Sequence, residues 1–595
     1  MKFGKVSKKF LLVFPPYCFP ISPYMSLPIL SSILNENGYE SFCFDLNAEY
    51  HNKKCFNKSF LLERYNYLRN TLKIIKDGFF KYSDIEEEKF ILKFFEFLLT
   101  FVKEDEEIFK VINEIESSVQ VLKSNEFYDI KKFETALDTV YKAETILFYS
   151  YFQTPALGKK IGSDLKVIEY FIKNKNLNPF YQFYIEKINE GFFKEYDYVM
   201  ISQAFDVQNF AAWTLGYLLK KYTNVKVCIG GNYPSRLTET FKSNSKIFDE
   251  YFDYVLSGLG EESIIEFADF THCRRNIEEV SGLIYKKQSE IFANSPKTFL
   301  ENVNVRPKIS FDGINFNDYL VPEVVIPLQV SKGCPWGKCK FCVFHEGKTK
   351  YQIIPAKKVA EEFKYLNDKY GITKFEFADE SLSPKYYYDL AKEILNLKLN
   401  ISYYGFARFD NSFTPQILEM MYKSGFKVFE WGYETPSKRI MELYNKGIDI
   451  DSRLSILERA NEAGIWNHCL TIVDVPFETK EELLYDYDVY LKNSNLFNSR
   501  LMASFTLFKN TPFFLNAASY CMNNVKDDGN LSISASYKFK SQNEIYNDID
   551  IKNKHIELMK HYKGKCWRTL MKAYDEYLFL YVSYYGKDKC IDGKF

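Results

Sequence analysis

Two stretches of the chain alternate short apolar runs with amphipathic segments, and a long helical pattern interrupts the first stretch. Residues 8–48 follow the order strand, loop, helix and strand, with an apolar run at 10–14. Residues 50–190 have the 3.6-residue spacing of amphipathic helices. Strand patterns return from residue 198. Continuously apolar strands joined by helices are typical of a parallel sheet covered on both faces.

These patterns predict an α/β chain. Its N-terminal domain is a doubly wound, Rossmann-like sheet with a helical insertion, followed by a partial (βα)6 barrel and a helical C-terminal region. The predicted boundaries are 1–50 and 191–270 for the sheet domain, 51–190 for the insertion, 271–323 for a linker, 324–514 for the barrel and 515–595 for the C-terminal region.

Three cysteines lie in a glycine- and proline-broken loop directly after the apolar run 324–330. Cys334, Cys339 and Cys342 have the spacing C-x4-C-x2-C, which is too short to keep the thiols far apart. Soft sulfur ligands select zinc, copper(I) or an iron–sulfur centre. His345 would complete a Cys3His zinc site, whereas a 4Fe-4S cluster on three thiolates leaves one iron open. A loop of free thiols is the third interpretation.

Charged side chains follow three of the predicted barrel strands. Glu380, Arg408 and Glu434 each come at a strand's carboxyl end, where barrel enzymes place their active sites. Each of them alone fits a surface or salt-bridged residue equally well. Together they suit a zwitterionic ligand, because an acid can bind an ammonium group, an arginine a carboxylate, and a second acid hydroxyl groups.

The cysteine loop resembles the cluster loop of radical S-adenosylmethionine (SAM) enzymes, in which the open iron chelates the methionine part of SAM. Phe341 matches the family's aromatic residue before the last cysteine, which lies near the adenine. The first cysteine gap is one residue longer than the usual C-x3-C-x2-C, a variant also seen among cobalamin-linked members. The resemblance implies that the three cysteines hold a 4Fe-4S cluster and that Glu380, Arg408 and Glu434 contact SAM.

The front sheet resembles the cobalamin-binding domain that precedes the barrel in a large subclass of these enzymes. The cobalamin contacts that it implies are Pro16, Tyr17, Ser202, Gln203, Gly230, Gly231, Asn232, Gly258, Gly260 and Glu261. Glycines at the ends of parallel strands let a ligand approach closely, although tight turns explain each glycine as well. The D-x-H-x-x-G motif of other cobalamin proteins is missing, so we expect no histidine ligand on cobalt.

Composition narrows the class of protein. The 78 basic and 78 acidic side chains give a net charge of zero, which predicts neither a nucleic-acid partner nor a membrane surface. The other cysteines among the 12 are scattered singly, which is not a disulfide framework and fits a reducing cytoplasm. The apolar run near the N-terminus is too short for a signal peptide.

The resemblance therefore implies a cytoplasmic, cobalamin-dependent radical SAM enzyme. Its cofactors would be a 4Fe-4S cluster, SAM and cobalamin, and its electron donor a flavodoxin or ferredoxin. It would cleave SAM to a 5′-deoxyadenosyl radical and methylate an unactivated carbon of a peptide or small natural product. One alternative is a rearrangement, cyclisation or peptide-maturation enzyme without methyl transfer. The other is a zinc-knotted interaction protein without enzymatic activity.

Overall fold

The computed structural model describes residues 8–76, 105–151, 163–304, 306–343, 349–538, 548–562 and 574–592. The chain divides into two compact units. The first unit contains Met1–Pro296, Ser310–Pro322 and Gly529–Ser532, and the second contains Lys297–Ile309, Glu323–Asp528 and Ile533–Phe595. Within the described ranges, every helix is too short or too polar to cross a lipid bilayer.

A seven-stranded sheet forms the centre of the first unit. Its strands are β1 (Lys9–Phe14), β2 (Glu40–Asp45), β3 (Tyr198–Ser202), β4 (Lys226–Gly230), β5 (Tyr254–Leu256), β6 (Leu283–Lys287) and β7 (Glu290–Ala293). Their order is β2-β1-β3-β4-β5-β6-β7, and the first five are parallel. The connection reverses direction at β1, so the carboxyl ends of β1 and β3 flank the crevice where such sheets bind ligands.

Helices cover this sheet and form the insertion between β2 and β3. They span Ser26–Glu36, Leu46–Tyr50, Lys58–Lys76, Asp105–Leu122, Ile130–Tyr149, Leu165–Lys173, Tyr181–Asn189, Asn209–Tyr222, Asn232–Arg236, Thr238–Ser243, Lys246–Glu250 and Gly260–Thr271. A π-helical turn, His51–Cys55, continues the second of them. In the insertion, Asp129 caps the helix Ile130–Tyr149 by accepting from the Lys131 and Lys132 amides.

The segment predicted as a linker, 271–323, contains two strands of this sheet. β6 pairs antiparallel with β5, and β7 pairs antiparallel with β6. Gln288, with φ of 57°, makes the two-residue turn between them. The sequence lacks the Asn-Gly or Asp-Gly pair that usually marks such a hairpin, which explains why the pattern did not reveal it.

The second unit contains a six-stranded parallel sheet, as predicted. Its strands are β8 (Val325–Leu328), β11 (Lys374–Phe377), β12 (Ser402–Ala407), β13 (Phe426–Glu434), β14 (Trp466–Val473) and β15 (Ser499–Ser504), paired in that order. Two short strands, β9 (Ser331–Lys332) and β10 (Gln352–Ile353), flank the cysteine loop. The connecting helices are Ala356–Tyr370, Pro384–Asn396, Pro415–Lys423, Lys438–Tyr444, Arg453–Glu462 and Lys480–Lys492.

The region predicted to be helical, 515–595, is partly sheet. β16 (Leu507–Phe508), β17 (Asn523–Asp527) and β18 (Ser534–Lys538) form an antiparallel sheet in the order β16-β18-β17. The polar–apolar alternation from Leu531 to Ala535 is the strand signal that was missed. The helices there are Pro512–Leu515, Ile549–Tyr562, Asp575–Tyr585 and Lys587–Asp592.

Candidate active site

The cysteine loop is fixed against the chain that follows the helix Lys438–Tyr444. Trp336 donates its indole N–H to the Asn445 carbonyl at 2.8 Å, and the Asn445 amide donates to the Lys338 carbonyl at 3.1 Å. The Lys340 amide donates to the Tyr444 carbonyl at 2.9 Å. Asn445 has φ of 54°, the left-handed conformation that ends a helix. These bonds fix the loop against residues Tyr444 and Asn445.

Gly447 lies directly under the Trp336 indole. A Cβ atom at this position would overlap the ring, and its φ of 65° also favours glycine. The segment 444–447 therefore donates and accepts hydrogen bonds with the cysteine loop, and its Gly447 lets the Trp336 ring pack directly against the backbone.

The Cys339 thiol lies among charged groups from two strand ends and from the segment after the helix Lys438–Tyr444. Burial raises its pKa, and the neighbouring cations Lys446 and Arg408 act in the opposite direction. Cys334 and Glu434 interact electrostatically with the same thiol. Residues far apart in the sequence thus converge on the cysteine loop.

Arg408 extends from the end of β12 over the loop. Its guanidinium stacks on Trp336 at 4.6 Å from the ring centroid. One terminal nitrogen donates to the Lys446 carbonyl and to the Gly447 carbonyl, the latter at 3.3 Å. Its Nε is buried and has no hydrogen-bond partner among the described residues. This N–H is available to an acceptor from outside the protein.

Glu434 ends β13 in a left-handed conformation, with φ of 58°. Its carboxylate forms an ion pair with Lys446, and both side chains are buried. Gly432 makes room for this pair, since a Cβ there would lie 3.1 Å from a Glu434 oxygen. The pair places a buried carboxylate and an ammonium group beside the Cys339 thiol.

Asp379 follows β11 and connects this strand to the start of the cysteine loop. Its buried carboxylate accepts from the Val330 amide at 2.9 Å and from the Ser331 amide and hydroxyl at 2.6 and 2.5 Å. Burial raises the pKa of Asp379 to about 6, and the bonds from Ser331 and Val330 act in the opposite direction. Its neighbour Glu380 is exposed.

The three loop sulfurs are spread more widely than a single zinc ion requires. Across the described residues, one group alone brings three candidate ligand atoms within 4.8 Å of one another, and it lies elsewhere, at His51, Cys55 and Glu144. Thiolates bound to one zinc at about 2.3 Å lie about 3.8 Å apart. At least one pair of the loop sulfurs is therefore more than 4.8 Å apart. His345, the fourth ligand of the alternative zinc site, lies outside the described residues.

In the first unit, the strand ends that were predicted to bind cobalamin present uncharged groups. At the switch point, the Ser202 hydroxyl lies 2.8 Å from that of Ser26. The buried Gln203 amide donates to the Phe205 carbonyl at 3.1 Å and to the Asn209 side chain at 2.6 Å. Gln203 therefore shapes the edge through its own internal bonds.

The next two strand ends are glycine turns that Ser235 connects. Its hydroxyl donates to the Gly231 carbonyl at 2.7 Å and accepts from the Gly258 amide at 2.9 Å. Gly231 has φ of 114° and Gly258 has φ of 92°, both favouring glycine. Gly258 and Asn232 are exposed at this edge. Gly260 and Glu261 begin the following helix, and Gly230 ends β4.

Comparison with known proteins identifies part of the second unit. Residues 328–489 match the family model described as the radical SAM superfamily. This chain contains a radical SAM domain. The match begins at the last residue of β8 and runs into the helix Lys480–Lys492, so it covers the cysteine loop, Arg408 and Glu434. The predicted resemblance is confirmed.

Similarity extends beyond the radical SAM domain. An uncharacterized methyltransferase of Pyrococcus horikoshii is 28% identical over 278 residues, which are 46% of this chain and 59% of that relative. The methyltransferase TsrM of Kitasatospora setae, solved with cobalamin and a 4Fe-4S cluster, has a TM-score of 0.51 at 14% identity, covering 87% of this chain and 75% of TsrM. The cobalamin-dependent radical enzyme OxsB, solved with aqua-cobalamin, has a TM-score of 0.52 at 15% identity, covering 67% and 68%. The α/β fold is thereby confirmed.

Within the radical SAM domain, some of the residues predicted to contact SAM lie beside the cysteine loop. Arg408 and Glu434 both lie beside Cys339. The Phe341 ring packs edge-on against Tyr444 at 4.9 Å. In the first unit, the Tyr17 hydroxyl donates to Glu144 at 2.7 Å. The SAM and cobalamin contacts themselves stay predictions.

Sequence reasoning missed several residues that shape the radical SAM domain. Lys446 and Asn445 come after a helix rather than after a strand, so the strand-end rule does not reach them. Arg453 is 2% exposed and donates to the carbonyls of Tyr433 and Thr435 at 2.7 and 2.8 Å, which holds the backbone on both sides of Glu434. A buried arginine in a helix has no local signal that distinguishes it from a surface one.

Proposed function

We propose that this chain is a cobalamin-dependent radical SAM methyltransferase. Cys334, Cys339 and Cys342 would hold a 4Fe-4S cluster, with SAM beside it and cobalamin at the edge of the seven-stranded sheet. With these groups bound, the cluster supplies the electron that cleaves SAM to a 5′-deoxyadenosyl radical, and methylcobalamin supplies the methyl group. The reaction would methylate an unactivated carbon of a peptide or small natural product. A low-potential flavodoxin or ferredoxin would donate the electron.

The observation that carries the proposal is the set of cations beside Cys339. Negative thiolates and the carboxylate of SAM both require positive neighbours, and Lys446 and Arg408 supply them. The buried Nε of Arg408 would donate to the SAM carboxylate. Glu380 would take the ammonium group, and Glu434, with Lys446, the ribose hydroxyls.

The sheet edge of the first unit suits a large, nearly flat ligand. Gly258 and Asn232 are exposed there, and Ser235 holds the two glycine turns in a fixed relation. Charged side chains are absent from the described turns 202–203, 230–232 and 257–260. A corrin ring is recognised mainly through contact and backbone approach, which small residues permit. The fold similarity to TsrM and OxsB supports this assignment.

Two alternatives make different predictions. A radical enzyme without methyl transfer would use the same domain but would not need cobalamin. A zinc-knotted interaction protein would need its three loop sulfurs close together, whereas the described residues place them more widely apart than that.

The test is anaerobic incubation of the reconstituted full-length chain with labelled SAM, reductant and hydroxocobalamin. We expect 5′-deoxyadenosine, S-adenosylhomocysteine, and cobalamin that stays with the protein through gel filtration. 5′-Deoxyadenosine alone would exclude methyl transfer and favour a rearrangement or cyclisation. A colourless protein carrying zinc and no iron would exclude radical chemistry altogether.

Arg408 provides a sharper test within the same assay. Arg408→Lys keeps the charge but loses the Nε donor, so we expect kcat/KM for 5′-deoxyadenosine formation to fall about ten- to a hundredfold. Iron content should stay unchanged. Arg459→Lys is the matched control, because the Arg459 Nε donates to Ser455 in its own helix at 3.1 Å. Equal activity of the two variants would contradict the role of Arg408.

A further inference from the structure

A second group of ligand-type side chains lies in the first unit, away from every strand end. His51 and Cys55 are four residues apart on the π-helical turn His51–Cys55, and Glu144 comes from the helix Ile130–Tyr149. One nitrogen of His51, the Cys55 sulfur and one Glu144 oxygen all lie within 4.8 Å of one another. The three residues are 0%, 0% and 4% exposed. Such a convergence of ligand atoms is close enough for small shifts to bring all three onto one metal ion.

The hydrogen bonds leave two of these ligand atoms facing each other. His51 Nδ1 lies 2.8 Å from the Asn47 carbonyl, which can only accept, so Nδ1 carries the proton. His51 Nε2 lies 3.2 Å from Glu144 Oε1, yet neither atom makes a hydrogen bond with any described residue. Leaving buried polar atoms without a partner is unfavourable. A cation bound to both atoms would remove that cost.

Neighbouring residues orient the imidazole and the carboxylate as they do around bound metals. Tyr17 donates its hydroxyl to Glu144 Oε2 at 2.7 Å, and its ring stacks on His51 with centroids 5.2 Å apart. The Asn47 side chain accepts from the Cys18 backbone N–H at 2.8 Å. This bond fixes Asn47, whose backbone carbonyl accepts the hydrogen bond from His51. A histidine that donates one N–H to a carbonyl presents its other nitrogen as a ligand.

We propose that His51, Cys55 and Glu144 bind one divalent transition-metal ion, zinc by preference. The set of one nitrogen, one thiolate and one carboxylate suits zinc, whereas calcium and magnesium require more oxygen ligands. The charges also balance, since a thiolate and a carboxylate neutralise a divalent ion in a buried place. A water would complete four-coordination. The ion connects the turn His51–Cys55 to the insertion helix and, through Glu144, holds the Tyr17 loop after β1.

The test uses a background that cannot hold an iron–sulfur cluster, so its result is independent of the proposed function. In the full-length Cys334→Ala/Cys339→Ala/Cys342→Ala variant, we expect about one zinc per chain by elemental analysis after gel filtration. Adding Cys55→Ser should remove it. Adding Cys228→Ser, at a cysteine that is 1% exposed on β4, should not.

Two further measurements keep the test decisive if the Cys55→Ser variant does not fold. Glu144→Gln, which keeps the shape of the side chain, should also lower zinc content. Cobalt(II) bound to the cluster-free background should show a sulfur-to-metal charge-transfer band, because Cys55 is then the thiolate within reach. Absence of any divalent metal from the folded background, or zinc unchanged by Cys55→Ser or Glu144→Gln, would overturn the proposal and leave a buried histidine–glutamate pair.

Discussion

β13 carries two glutamates, four residues apart, in opposite electrostatic surroundings. Glu434, at the carboxyl end, forms an ion pair with Lys446. Glu430, in the middle of the strand, is 1% exposed and faces the carboxyl groups of Asp575, Glu376 and Glu576. Burial raises the pKa of Glu430 well above its ordinary value, and these neighbouring carboxyls raise it further. One strand thus presents a carboxylate paired with a lysine at its end and, in its interior, an acid whose pKa is raised by burial and by neighbouring carboxyls.

β11 repeats the contrast with two other acids. Asp379, just beyond the strand, accepts hydrogen bonds from the Val330 and Ser331 amides. Glu376, within the strand, is half-buried beside Glu576, and burial followed by that like charge raises its pKa to about 8. The corresponding value for Asp379 is a pKa of about 6. Acids at the strand ends meet donors and cations, whereas acids in the interior meet one another.

This difference between strand-end and interior acids indicates that the carboxyl ends of the strands, and not the interior of the sheet, are suited to bind a ligand. The paired charges can exchange one another for the polar groups of a bound molecule, and the unsatisfied Arg408 N–H can donate to such a molecule directly. The interior acids are closed off by the helix Asp575–Tyr585, whose residues Tyr577–Val582 are buried. There burial and the neighbouring like charges favour the protonated form of the carboxyls. The following experiments test this division, beginning with the largest expected effect.

Cys339→Ala should abolish 5′-deoxyadenosine formation and remove most of the iron, because the strand-end site depends on three thiolates. Glu376→Gln, the control in the interior, should keep both iron and activity. Elemental analysis measures the iron content of both variants, and chromatography measures the 5′-deoxyadenosine that they form. If Glu376→Gln abolishes the activity of a folded protein, the division between the two regions fails.

Lys446→Met should destabilise the protein strongly. Glu434 is 8% exposed, and a buried carboxylate without its cation costs about 3–5 kcal/mol. Adding Glu434→Gln should restore most of the lost stability, since no charge is then left unpaired. The urea midpoint, followed by tryptophan fluorescence, measures both changes. A double variant as unstable as Lys446→Met would show that Lys446 stabilises by packing instead.

Much of the strand-end site was predictable because strand ends are local features of the sequence. The apolar run of β8 followed by three cysteines indicates a ligand loop, and Arg408 and Glu434 each follow a recognisable strand. The parallel sheet then brings these positions together, whatever the details of packing. The same reasoning cannot reach Lys446, which lies after a helix and meets Glu434 only in three dimensions.

The interior acids were not predictable, for a related reason. Glu376 and Glu430 look like the polar positions of half-exposed strands. Their burial depends on a helix that begins at Asp575, 145 residues after Glu430 and 199 residues after Glu376, in a region whose strands β17 and β18 were predicted as helix. Local patterns predict which segments are strands, but they do not show what covers the strands.

The smallest expected effect is a change in pH dependence. The pKa of Glu376 is raised to about 8 in the folded chain, from an ordinary value near 4.5, so the folded state binds the extra proton between these values. The contribution of this proton to the free energy of unfolding is complete below about pH 4.5. It is lost as the pH rises through about 8, at up to about 1.4 kcal/mol per pH unit. Glu376→Gln cannot ionise, so its urea midpoint should fall less steeply than the wild type's between pH 6 and about 8.

Glu434→Gln is the matched comparison for this pH series, because it changes the same side chain at the ligand end of the sheet. Its midpoint should be lower than the wild type's, since Lys446 loses its partner. Parallel slopes for the wild type and Glu376→Gln would mean that the interior carboxyls ionise freely. In that case the two glutamates of β13 would differ in position but not in protonation, and the division between a charged edge and a protonated interior would no longer hold.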